Sequence, residues 1–166
     1  MSDVLPDAPA RASLPDRLLI GLIIPASRVL SRKSPRQLRK LLGRLAAGAR
    51  PASYSEAKLA RDQILTASPR CRGGSACLVR SLSVALLCRS RGVWPTWCVG
   101  VIATPPFSAH AWVEADGRVV DEPLDSADFR TFFTVPTDPV PASRSTQDVG
   151  AAPKNRARAR NGGETG

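Results

Sequence analysis

CLVRSLSVALLCRSRGVWPTWCVGVIATPPFSAHAWVEADGRVVDE, residues Cys77 to Glu122, changes its period part-way along, and that change decides the fold. Leu78, Leu82, Ala85 and Leu86 recur at helical spacing behind the small-residue loop Gly73-Gly74-Ser75-Ala76, and Gly92 is placed to cap the end. The spacing predicts a central helix. From Trp94 to Ala103 the composition turns β-branched and aromatic, and Ala109 to Glu114 and Arg118 to Glu122 flank Asp116-Gly117 as the arms of a hairpin. A helix followed by antiparallel strands indicates an α+β domain.

Upstream, Ser34-Pro35 reads as an N-cap with proline at the first helical position. Leu38, Leu41, Leu42 and Leu45 then form one face, and Arg36, Arg39, Lys40 and Arg44 the other. A further helix is expected from Ser55 to about Ala67, with Ala57, Ala60 and Ile64 together. Downstream, Phe129, Phe132 and Phe133 are expected to pack back onto the sheet. Residues 1–14 are rich in proline, alanine and aspartate, and the end of the chain carries almost no large apolar side chains. Both read as disordered tails, leaving a domain over 15–135 and a basic tail over 136–166.

The 166 residues are 43% hydrophobic and carry a formal charge of +10. Its placement is informative: Arg17, Arg28, Arg32, Lys33, Arg36, Arg39, Lys40, Arg44 and Arg50 occur with no acid between them, and Arg144, Lys154, Arg156, Arg158 and Arg160 load the tail. The middle is nearly balanced. The basic helical face is either simply solvated or a docking surface for an acidic partner or peptide. No aromatic residue interrupts the basic stretch to stack a base, so nucleic acid is not an expected partner. The apolar run Leu18 to Ile24 stops at Pro25, far short of the roughly 20 residues a bilayer span needs. The opening segment is acidic and proline-rich, unlike a secretory signal, so the chain reads as cytoplasmic. Cys71, Cys77, Cys88 and Cys98 contain no Cys-x-x-Cys pair and suggest neither a disulfide framework nor a zinc site.

His110 is the only histidine, so any imidazole chemistry must use it. Cys77 stands at the start of the central helix, where unpaired N–H groups and the positive end of the dipole lower a thiol pKa and can stabilise an oxyanion. Cys71, before the same glycine loop, is the second candidate nucleophile; Cys88 and Cys98 read as buried apolar groups. The acid that would orient the imidazole depends on the hairpin turn. A two-residue Asp116-Gly117 loop pairs Ala115 with Arg118 and puts Asp121 beside His110. A type I turn with Gly117 as a bulge pairs Glu114 with Arg118 and sets Glu122 opposite His110. The second loop suits the sequence better. Trp112 shares the face of His110 and either walls the site or fills core, while Arg80 and Ser81 either bind substrate or cap structure.

Several runs together carry a family resemblance: Cys77-Leu-Val-Arg-Ser-Leu82, Trp94-Pro-Thr-Trp-Cys-Val-Gly-Val101, Pro106-Phe107 and Ala109-His-Ala-Trp-Val-Glu-x-Asp-Gly117. With Ala49-Arg-Pro-Ala-Ser-Tyr-Ser-Glu-Ala57 in the basic front end, the chain resembles the transglutaminase-like leader peptidases of lasso-peptide biosynthesis, the stand-alone protease half of the split B protein. The resemblance implies a papain-like cysteine protease core with Cys77 as nucleophile, His110 as base and an acid on the following strand. That acid is commonly Asp in the family, and here it is Glu122 or Asp121. Arg80 and Trp112 are the candidate substrate contacts by position, and the resemblance implies no metal or organic cofactor. The partners it implies are the precursor peptide, a small leader-recognition protein and an asparagine-synthetase-like ATP-dependent cyclase. Two other classes compete: a non-catalytic basic adaptor, and an acyl transferase that uses an amine in place of water.

Overall fold

The computed structural model describes residues 10–103, 105, 107–122 and 126–137. Four helices come first, α1 (Leu14–Leu30), α2 (Pro35–Ala46), α3 (Tyr54–Ala67) and α4 (Cys77–Ser90), followed by most of the sheet. The α+β order read from the sequence is therefore the observed one. Ser34 and Ser53 cap α2 and α3, each in a reciprocal box with Gln37 or Glu56, so both helices begin where local chemistry satisfies their first N–H groups. Gly92 has φ of +79°, the left-handed value that ends α4 without a Cβ penalty.

Of the segment expected to be disordered at the front, residues 10–14 are described and held. The Ala10 amide donates to Thr66 Oγ1, Gln63 Nε2 donates to the Arg11 carbonyl, and Ser13 caps α1. Helix α1 then continues through Pro25, the residue at which the apolar run Leu18 to Ile24 ends. Proline removes the N–H that would bond the Gly21 carbonyl, but Ile20, Ile23 and Ser27 are buried on either side, and that packing carries the helix across. Residues 1–9 and 138–166, which include nearly all of the expected basic tail, lie outside the described residues.

Helix α4 runs through the middle of the molecule. Ser81 to Ala85, Leu87 and Cys88 are all buried, so the core covers more of its surface than the expected stripe, and Leu78 and Leu86 are only half-buried. Around it pack α1, α3 and the sheet. Buried Ser83 donates to buried Ser27, joining α4 to α1.

The strand predicted over 94–103 is two strands. β2 (Val93–Trp94) pairs in parallel with β1 (Arg50–Pro51), and after Pro95 the chain enters β3 (Thr96–Ile102). The main sheet has the order β5-β4-β3-β6, with β4 (Ala109–Ala115), β5 (Arg118–Val119) and β6 (Phe129–Val135) all antiparallel to their neighbours. The phenylalanine segment is thus a fourth strand. Phe129 is buried and Phe133 half-buried, but Phe132 is 68% exposed, because the register against β3 shifts there and leaves Phe132 without a partner across the ladder. Trp94 donates its indole N–H to the Val135 carbonyl at 3.0 Å and locks the end of β6 to the helical layer.

The hairpin differs from the bulged loop that the sequence favoured. Ala115 pairs with Arg118 across a two-residue turn in which Asp116 and Gly117 have φ of +51° and +71°. Two left-handed central residues make a type I′ turn, whose twist matches that of the strands. The Tyr54 amide, at the start of α3, donates to Asp116 Oδ2 at 2.8 Å, and the Arg118 guanidinium sits over the Tyr54 ring. Contacts 62 residues away in sequence therefore favour this turn.

Candidate active site

Cys77 is the first residue of α4, reached through a 3₁₀ turn over Gly74–Ala76. No side chain caps that end, so the first amides of α4 are not occupied by a capping oxygen. The thiol is half-buried. The His110 imidazole and the backbone N–H of Ala111 adjoin it, and both favour its ionised form.

His110 stands near the start of β4, directly across from Gly100 of β3. Its ring lies nearly parallel to Phe129, 5.3 Å away, and Phe129 in turn stacks on Trp112 at 4.6 Å. This aromatic pile fixes the plane of the imidazole. Nε2 lies 3.2 Å from Glu122 Oε2, which leaves Nδ1 as the nitrogen for the thiol. The interaction crosses the boundary between helix and sheet, joining residues 33 and 12 positions apart.

Burial works against charge at all three groups, and the neighbours overcome it. For Cys77, the hydrogen bond from His110, the Ala111 amide and the positive charges of His110 and Arg80 bring the thiol below its ordinary range. Burial would lower the His110 pKa, but Cys77 and Glu122 raise it to about 9. Glu122 is disfavoured as an anion by burial, yet His110, Arg80 and Arg61 hold it below the usual carboxylate value. These directions favour a thiolate facing an imidazolium.

Both acids weighed from the sequence are near, and they do different things. Glu122 meets the imidazole. Asp121, with φ of +50°, turns away and accepts from Lys58 Nζ at 3.0 Å and Arg61 Nη1 at 2.8 Å. Strand β5 has ended by then: the last ladder bond runs from the Val120 amide to the Val113 carbonyl. The left-handed step at Asp121 thus aims Glu122 inward, where a bulged hairpin was expected to do so.

Arg80 and Trp112, expected to contact substrate, are instead interior. Arg80 is 2% exposed and spends its guanidinium on the carbonyls of Cys71 and Gly73 and on both oxygens of Glu122. Trp112 is 1% exposed, packs with Cys98 and Phe129, and donates its indole N–H to Glu114 at 2.8 Å. Ser81 is likewise structural, accepting from the Trp97 indole and donating to the Leu78 carbonyl. The Cys71 residue is buried, and burial pushes the Cys88 thiol up to about 12 and raises that of Cys98. Arg61 was not anticipated at the site. Its signal was available, because it lies four residues after Ala57 and three before Ile64 and so places a cation on the buried face of α3.

Helices first, antiparallel sheet after, and a thiol presented to an imidazole where the two meet: this is the architecture of papain-like cysteine chemistry. The chain belongs to the Transglutaminase-like superfamily, whose sequence profile matches residues 20–134, a span that contains Cys77, His110 and Glu122. Members of that superfamily are in general cysteine proteases or acyl transferases. No curated protein and no solved structure matches the chain. Among the described residues, no helix is long and apolar enough to cross a membrane.

Proposed function

We propose that this protein is a cysteine peptidase that cleaves the leader from a ribosomally synthesised lasso-precursor peptide, freeing the core amine for macrocyclisation. The observation that carries the reading is the 3.2 Å contact of His110 Nε2 with Glu122 Oε2 beside the helix-start Cys77, which the imidazole holds below the ordinary thiol range. The leader-peptide substrate rests on the resemblance of residues 77–82, 94–101 and 109–117 to leader peptidases.

The Cys77 thiolate adds to the scissile carbonyl, and the oxyanion meets the unoccupied amides at the start of α4. His110, as imidazolium, gives its proton to the leaving amine while the C–N bond breaks. It then takes a proton from water, whose oxygen adds to the thioester; collapse breaks the C–S bond, regenerates the thiolate beside imidazolium and releases the leader acid, which loses its proton to solvent. Glu122 holds the ring by Nε2 and offsets its charge throughout. In this reading a small leader-recognition protein presents the precursor, and an ATP-dependent asparagine-synthetase-like enzyme consumes the product.

The test is mass spectrometry of precursor incubated with the protein and recognition partner, using wild type, Cys77→Ala and His110→Ala. Hydrolytic products from wild type alone support the reading. Retained cleavage in Cys77→Ala ends it, and a product mass showing amine in place of water moves the enzyme to the transferase class.

A further inference from the structure

We propose that Arg80 and Arg61 are positioning residues that fix Glu122 against His110, and that Arg80 also ties the loop leading into Cys77 to that same carboxylate. The inference rests on the Cys77–His110 reading above.

Glu122 has little backbone support. The β5 ladder finishes with the Val120 amide and Asp121 breaks the extended conformation, so no strand register dictates where this carboxylate lies. Its side chain is nonetheless 6% exposed, and a carboxylate so buried is costly unless it is paired and hydrogen-bonded. The pairing comes from two helices. From α4, Arg80 Nη2 lies 3.3 Å from Oε2 and 3.5 Å from Oε1. From α3, Arg61 Nε lies 3.9 Å from Oε1. With His110 on Oε2, Glu122 is held from three directions.

Arg80 does more than neutralise. It stands one helical turn beyond Cys77, and its Nη1 donates to the Cys71 and Gly73 carbonyls, which belong to the loop that delivers the nucleophile. One planar guanidinium therefore sets the distance between the halves of the site, a role that needs the arginine fork. Arg61 is 1% exposed, and among the described residues its Nε and Nη2 have no hydrogen-bond partner, so its hold on Glu122 is electrostatic. Its Nη1 is anchored on Asp121, which Lys58 also holds, and Lys58 in turn pairs with Asp62.

The charge balance explains why two cations belong beside one imidazolium. Among the described residues, Arg61, Arg80 and protonated His110 face Glu122, Asp121 and ionised Cys77, so the arginines favour the thiolate and keep Glu122 from taking the imidazolium proton.

Iodoacetamide alkylation of Cys77 against pH tests this on the purified full chain, with peptide mass mapping to separate Cys77 from the other cysteines and thermal melting to verify folding. In wild type the thiolate limb is expected below the ordinary thiol range. Arg80→Met is expected to move that limb up by about one pH unit, making alkylation about tenfold slower on its rising limb. In a Glu122→Gln background the same change is expected to shift the limb by less than half as much, because Arg80 acts mainly through Glu122. A folded Arg80→Met with an unchanged limb, or an equal shift in both backgrounds, overturns the proposal. Should Arg80→Met not fold, Arg80→Lys decides: the charge is kept and the fork lost, so slower alkylation is expected, and a wild-type rate overturns it. A wild-type thiol with an ordinary limb overturns the peptidase reading and this inference together, whereas a low wild-type limb that ignores Arg80 overturns the inference alone.

Discussion

Glu122 Oε2 lies 3.2 Å from Nε2 of His110, although the ladder that would ordinarily bring such residues together has already ended at Val120. The contact depends on side-chain charge and on the left-handed turn of the chain at Asp121. Glu122→Gln keeps the size of the side chain but removes its charge beside the imidazolium. We expect kcat/KM for the proposed peptide cleavage to fall by about 100-fold or more, as when the orienting carboxylate of a nucleophile–histidine pair is neutralised. A wild-type rate in steady-state kinetics would remove Glu122 from the mechanism.

In the proposed mechanism the active pair is thiolate with imidazolium, which assigns both limbs of the pH profile. Activity rises as Cys77 loses its proton, below the usual thiol range because His110, the Ala111 amide and Arg80 outweigh burial. It falls as His110 loses its proton, at about 9 because Cys77 and Glu122 outweigh burial. A bell-shaped profile of kcat/KM with its alkaline limb near pH 9 is expected. In Glu122→Gln the alkaline limb moves down, toward the ordinary imidazole value. An alkaline limb unmoved by Glu122→Gln would contradict the assignment.

Local chemistry made much of this fold legible. Ser34-Pro35 and the face of Leu38 and Leu42 mark α2, and Gly92 marks the end of α4 by its left-handed conformation. The lone histidine and the helix-start cysteine were legible because they needed no register. What could not be read depends on contacts distant in sequence. Pro25 would ordinarily end a helix, but the burial of Ile20, Ile23 and Ser27 carries α1 past it. Gly117 could serve as a bulge or as half of a type I′ turn, and the Tyr54 amide on Asp116 favours the latter. Arg80 looked available for substrate until the glycine loop and Glu122 were brought round it.

Gly100 sits across from His110 and beside the irregularity where β6 shifts register against β3 between Val99 and Gly100. A Cβ at this position would overlap the backbone carbonyl of Arg130. Backbone cannot rotate aside like a long side chain, so Gly100→Ala must push β6 or β3 outward. We expect a loss of about 2 kcal/mol in chemical denaturation, within the range for overpacking. Phe129, which begins β6 and stacks on His110, should move with the strand, so catalysis should fall as well. Wild-type stability in Gly100→Ala would show that the sheet absorbs the added methyl.

Asp121 offers a separate measure of the charge cluster, because it carries two burdens at once. Its φ of +50° favours residues that tolerate the left-handed region, and its carboxylate is the hydrogen-bond acceptor for Arg61, which is almost fully buried. Asp121→Asn keeps the first property and an acceptor oxygen, and loses the negative charge facing Arg61. Removing one partner of a buried ion pair leaves the other uncompensated, which costs about 3–5 kcal/mol in a fully buried site. Asp121 retains a quarter of its side-chain exposure, so roughly 2 kcal/mol is expected. Asp121→Val adds the backbone penalty of a β-branched residue at positive φ and should lose at least about 1 kcal/mol more. Chemical denaturation of both variants separates the contributions: the Asn variant reads the charge, and the difference between the two reads the backbone together with the lost acceptor. Equal losses would mean that the left-handed step at Asp121 costs nothing to hold, and that Glu122 is aimed by its arginines alone.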